Sequence, residues 1–102
     1  MVKFTLYCGL NDQVTNQQVF SMVEAYKIAM NICVRIVNGC TISEATGFYQ
    51  YENGEIAIEK SLRIEIVNAC ESDVDKVISA LKQAFNQESI LKERTESAIA
   101  FC

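Results

Sequence analysis

Glu59, Arg63 and Glu65 fall in one segment, Glu59-Lys60-Ser61-Leu62-Arg63-Ile64-Glu65, whose polar and apolar residues alternate as they do in a half-buried β-strand. The guanidinium of Arg63 is suited to clamp a phosphate or carboxylate through paired N–H donors while a nearby carboxylate holds a hydroxyl. Tyr7 and Phe48 share the outward parity of Arg63 in the strand pairing set out below, and aromatics interleaved with a cation can stack a nucleobase. Asn11 lies at a strand end before a helix start, where backbone N–H groups can receive an anion. Gly9-Leu10-Asn11-Asp12 is no phosphate loop, since it lacks GK[ST] and has few glycines. The candidate ligand-binding residues are therefore Tyr7, Asn11, Phe48, Glu59 and Arg63. The competing readings are a Glu44–Arg63 cross-strand pair on a wet sheet surface, and Tyr7, Ile42 and Phe48 as a subunit interface.

Catalysis finds less support. With no histidine, Ser-His and Cys-His nucleophile pairs are excluded, and no catalytic residue is assigned. Cys8, Cys33, Cys40, Cys70 and Cys102 are odd in number and contain no CxxC pair, so free thiols are expected, with neither a metal site nor a cofactor. The formal charge is −4 and no Lys/Arg run forms a basic stripe, which argues against a nucleic-acid polymer as partner. No apolar stretch reaches the length of a membrane span or signal segment, so no membrane partner is expected and a reducing cytoplasm is the expected compartment.

The elements that must position these residues follow from hydrophobic periodicity. A chain of 102 residues, half of them hydrophobic, suits one domain spanning 1–102 with one core. Val2, Phe4, Leu6, Cys8 and Leu10 alternate as a first strand. Thr15 with Gln18 resembles a capping box and predicts a helix from about Asn16, with Val19, Met22, Val23, Tyr26, Ala29, Met30 and Cys33 as its inner stripe and Asn38-Gly39 as its close.

Cys40–Tyr51 and Ile56–Val67 flank Asn53-Gly54, which predicts a hairpin closed by a two-residue type I′ turn. That turn pairs Tyr51 with Ile56, Tyr49 with Ile58 and Glu44 with Arg63. It sends Tyr49 and Tyr51 to the core and Phe48 and Ile42 outward with Glu59 and Arg63. Lys60 then falls opposite Gly47 on the apolar side, which suggests a bulge or a snorkelling stem. Ser72 with Asp75 opens a second helix ending near Asn86, and Ile90–Cys102 supplies a last strand with an irregular portion. The order βαββαβ predicts an α+β, ferredoxin-like sandwich with two helices on one face of an antiparallel sheet.

Leu6-Tyr7-Cys8-Gly9-Leu10-Asn11-Asp12, Gly47-Phe48-Tyr49, Asn53-Gly54 and the Glu59–Glu65 segment resemble, over nearly the whole chain, a family of uncharacterised small phage and bacterial proteins, a domain of unknown function. The resemblance implies a phage or prophage setting in the cytoplasm of a bacterial host. That setting suggests a non-catalytic, anti-defence protein that sequesters a nucleotide immune signal or other small anionic ligand. Two further readings stand beside it: a homo-oligomeric module that binds a host protein, and an enzyme of the dimeric α+β barrel kind using Glu59 or Glu65 as acid or base.

Overall fold

The computed structural model describes residues 1–102 and has the order β1 (Val2–Gly9), α1 (Met22–Val37), β2 (Thr41–Gln50), β3 (Ile56–Val67), α2 (Glu71–Phe85) and β4 (Leu91–Glu96). The strands form one antiparallel sheet in the order β2-β3-β1-β4, the ferredoxin-like split βαβ arrangement. Even-numbered residues of β1 and β3 face the helices. Phe4, Leu6, Cys8, Leu62, Ile64 and Ile66 are buried there against Ala25, Ala29 and Cys33 of α1 and Val74, Val77, Leu81 and Phe85 of α2. On β4 the same face is charged, and Lys92 bridges Glu71 at 2.9 Å and Asp75 at 2.8 Å, tying the sheet edge to α2.

The first helix begins later than its expected start near Asn16. Asp12 accepts backbone N–H bonds from Val14 at 2.8 Å and Thr15 at 3.2 Å, and Asn16 takes a left-handed conformation at φ 57°. This Asx-type bonding gives the backbone an alternative to a helical turn. The capping box lies instead at Ser21 and Glu24: Ser21 Oγ accepts from the Glu24 N–H at 3.2 Å and the Glu24 carboxylate accepts from the Ser21 N–H at 3.1 Å. The inner stripe is correspondingly rotated, with Ala25, Ala29 and Cys33 buried while Val19, Val23 and Met30 stay exposed. Asn38 and Asn86 close the two helices in left-handed conformations, where the sequence places those ends. Helix α2 starts at Glu71 after Cys70 and has no side-chain cap at Ser72. The last strand is confined to Leu91–Glu96.

The hairpin departs furthest from the expected pairing. Gln50 pairs with Ile56, Phe48 with Ile58, Glu44 with Leu62 and Ile42 with Ile64, one residue away from the type I′ register. The turn holds three central residues: the Gly54 N–H bonds the Tyr51 carbonyl at 2.9 Å, the Tyr51 N–H bonds the Glu55 carbonyl at 2.8 Å, and Gly54 alone has positive φ, at 88°. A type I turn followed by one left-handed residue is the common solution for such a loop. Because strand side chains alternate, the slip exchanges every face assignment on β2. Tyr49 and Tyr51 lie on the helix-free face instead of in the core, and Phe48 and Ile42 lie on the helix side. Glu44 pairs with Lys60 at 3.1 Å and not with Arg63, which faces Ser43. No bulge re-aims Lys60, whose Nζ reaches Thr46 Oγ1 at 3.3 Å.

Candidate functional site

On the helix-free side, odd-numbered residues of β1 and β3 form the floor of a groove of about 650 Å³ that runs from the hairpin to the loop after α2. Tyr7, Ser61 and Ala45 pave it, Tyr49 and Tyr51 rise from the hairpin, and Asn11, Gln13 and Gln87 close the opposite end. Glu59 lies at its centre, partly buried. Its Oε2 accepts the Asn11 backbone N–H at 3.0 Å, and the Asn11 Nδ2 reaches the Ile58 carbonyl at 3.5 Å. Gly9 permits this placement: a Cβ there would come within 2.5 Å of the Glu59 carboxyl carbon and both its oxygens.

The far wall is held by a clasp of amides. Asn86 Nδ2 donates to Asp12 Oδ2 at 2.8 Å, Gln13 Nε2 donates to Asn86 Oδ1 at 2.8 Å, and Gln87 Nε2 donates to the Asn11 carbonyl at 2.6 Å. The Asn86 hydrogen bond, followed by those from Val14 and Thr15, holds the Asp12 carboxyl below its ordinary range. The loop that presents Asn11 is thus fixed to the end of α2.

Of the residues singled out in the sequence, Tyr7, Asn11 and Glu59 meet in this groove. Arg63 does not line it. Its Nε donates to Tyr7 Oη at 3.2 Å and its guanidinium pairs with Glu65, so the cation is occupied one rung away. Phe48 points from the other face of the hairpin, for the reason of register given above. Tyr49, Tyr51, Gln13 and Gln87 escaped the sequence reading. A signal for the tyrosines existed: shifting the pairing by one residue sets Ile42 against Ile64 and Phe48 against Ile58, two apolar pairs, and gives Lys60 the polar neighbours Thr46 and Glu44 on its own face.

The charged side chains lining the groove, Glu59 and Glu88, are both acidic, and no Lys or Arg lines it. The anion clamp expected at Arg63 therefore has no counterpart here. Glu59 forms no salt bridge of its own, in contrast to Glu65. Cys8 lies behind Glu59 on the core side. Burial first, and the Glu59 charge second, push its thiol up to about 12, so it is a protonated core group and no nucleophile near neutral pH.

Comparison with known proteins places this geometry in a family. The family model described as Protein of unknown function (DUF3574) matches residues 3–101, and the chain belongs to that family. A comparison with curated protein sequences gives no significant match. Solved structures of similar fold include a phage SAM lyase in complex with S-methyl-5′-thioadenosine, with TM-score 0.71 and 22% identity over 93% of this chain and 80% of that one. They also include the periplasmic divalent cation tolerance protein CutA from Archaeoglobus fulgidus, at TM-score 0.62 and 16% identity over 99% of this chain and 88% of that one. CutA1 from Pyrococcus horikoshii follows at TM-score 0.58 and 13% identity, covering 96% and 86% of the two chains. Identities at this level carry the fold alone. No helix is long and apolar enough to cross a membrane.

Proposed function

We propose that this member of the DUF3574 family binds, without turning it over, a small nucleoside-type ligand that carries positive charge, in the groove centred on Glu59. The observation that carries this reading is the groove's charge: a carboxylate with no cationic partner, ringed by Tyr7, Tyr49 and Tyr51 and by side-chain amides. A carboxylate among aromatic faces favours a cation, and the tyrosines offer stacking surfaces for a base. An anionic second messenger suits the lining poorly, because its phosphates would meet Glu59 and Glu88 with no cation between them. The similar fold of the phage SAM lyase bound to S-methyl-5′-thioadenosine supports a nucleoside as the ligand class. In the phage or prophage setting that the family resemblance implies, such a protein would withdraw a nucleoside-type signal or cofactor from the host.

Calorimetry with SAM, adenosine and a cyclic dinucleotide tests the reading. SAM is expected to bind best, Glu59→Gln to weaken it at least about tenfold, and Arg63→Ala to change it less than about threefold. Binding that prefers the phosphate-bearing ligand, or that ignores Glu59→Gln, overturns it.

One observation favours catalysis as the second reading: Glu59 is the carboxylate placed to act as a base in the groove, whereas Glu65 is held by Arg63. Chromatography of SAM incubated with the protein decides between the two. Product formation that Glu59→Gln abolishes would replace binding by turnover.

A further inference from the structure

The molecule measures 47 × 24 × 23 Å, and the end of the β2–β3 hairpin bears apolar side chains that its own helices leave uncovered. Phe48, Ile56 and Ile58 face the helix side yet are 68%, 66% and 59% exposed. Elsewhere on the chain lies a complementary shape. Between α1 and the edge strand β2 runs a groove of about 360 Å³ lined mainly by apolar residues, Tyr26, Met30, Val34, Cys40 and Ile42 among them, with Lys27 at its rim. Met30 and Val34 form, with Val23, a second apolar stripe on α1, pointing away from the core and exposed.

We infer that the hairpin of one copy seats its Phe48–Ile56–Ile58 face in the α1–β2 groove of a second copy. Charge complementarity selects this occupant. The hairpin turn carries Glu52 and Glu55, neither in a salt bridge, roughly 10 Å or more beyond the Phe48–Ile58 pair, three to four residues along the strands at about 3.4 Å each. Lys27, likewise without a salt bridge, stands about one helical turn from Met30 and two from Val34. Seating the apolar face over Met30 and Val34 brings the acidic turn toward Lys27, and a reversed orientation loses that pairing. Exposed apolar patches of this kind on a small protein mark contact surfaces.

The contact is heterologous, since a patch on one copy meets a different patch on the next. It also bears on the ligand groove, because Tyr49 and Tyr51 project from the opposite face of the same hairpin, so seating the hairpin fixes that wall. The association itself requires no ligand and does not rest on the ligand reading.

Sedimentation velocity at micromolar concentration tests it on the full chain. The unaltered protein is expected to exceed monomer mass, and Ile58→Glu or Val34→Glu, both at exposed positions, to reduce it to monomer with thermal melts still cooperative. Mixing the two variants is expected to restore a heterodimer and nothing larger, since the pair has between them one intact hairpin and one intact groove. Lys27→Glu is expected to weaken association about tenfold, and Glu52→Lys with Glu55→Lys in the same chain to restore it. A monomeric unaltered protein, either glutamate variant keeping full mass, or a mixture that stays monomeric overturns the inference.

Discussion

Strand β3 passes through two environments without changing its pattern. At its C-terminal half Leu62, Ile64 and Ile66 are fully buried beneath the helices, whereas Ile56 and Ile58, of the same parity and on the same strand, are more than half exposed. Alternation decides which face a residue takes, but cover decides whether that face is core. The helices end before the hairpin does, so the arm relies on its ladder and on whatever it meets. Regions with few buried contacts open at lower free-energy cost than the sheet centre.

Truncation should separate the two halves. Ile64→Ala is expected to lower unfolding free energy in urea by about 2–5 kcal/mol, through lost burial and the cavity left behind. Ile58→Ala, measured where the chain is monomeric, is expected to stay within about 0.5 kcal/mol of the parent. Equal costs at the two positions would show that the arm is covered after all.

How legible the molecule was in its sequence follows the same division. The first strand, the second helix stripe, the Asn38 and Asn86 helix ends and the ferredoxin-like order were all readable, because periodic burial against a single core writes itself into spacing. The faces of β2 were not. They hinge on whether Asn53-Gly54 forms a two-residue or a three-residue turn, and both turns accept the same dipeptide. Of the five candidate site residues, Tyr7, Asn11 and Glu59 share the groove because their positions follow from β1 and β3, whose pairing the core enforces. Phe48 went astray with the turn, and Arg63 because the neighbouring Glu65 and Tyr7 engage it first. On α1, apolar residues surround most of the helix, so periodicity alone could not tell the buried stripe from the exposed one.

The turn offers the next break in the comparison. Gly54→Ala is expected to cost about 1 kcal/mol, since φ of 88° strains any side chain. In the unaltered chain hydrogen exchange should be faster in the arm, around Gln50 and Ile56, than around Leu6 and Ile64, which are fully buried. Equal protection in the two regions would mean that the arm and the sheet centre open as one unit.

The smallest effect distinguishes the two ends of the ligand groove, the hairpin wall and the amide clasp. Asp12 is an acid whose folded-state pKa lies below its ordinary value of 3.8, so the folded chain binds fewer protons at Asp12 than the unfolded chain does. Its contribution is then complete above the ordinary carboxyl range and is lost as pH falls through the lowered folded value. Asn86→Gly removes the leading cause of the shift while keeping the left-handed backbone at that position, φ 48°, accessible. In that variant the Asp12 carboxyl, followed by NMR titration, is expected to move up toward the ordinary value. The acid-unfolding midpoint should rise with it, while Gly54→Ala leaves the Asp12 titration untouched. If the clasp positions Asn11, ligand affinity near neutral pH should also fall in Asn86→Gly, because the N–H that holds Glu59 sits on the loop the clasp secures. An unchanged affinity would assign the placement of Glu59 to the strand pairing at Gly9 alone.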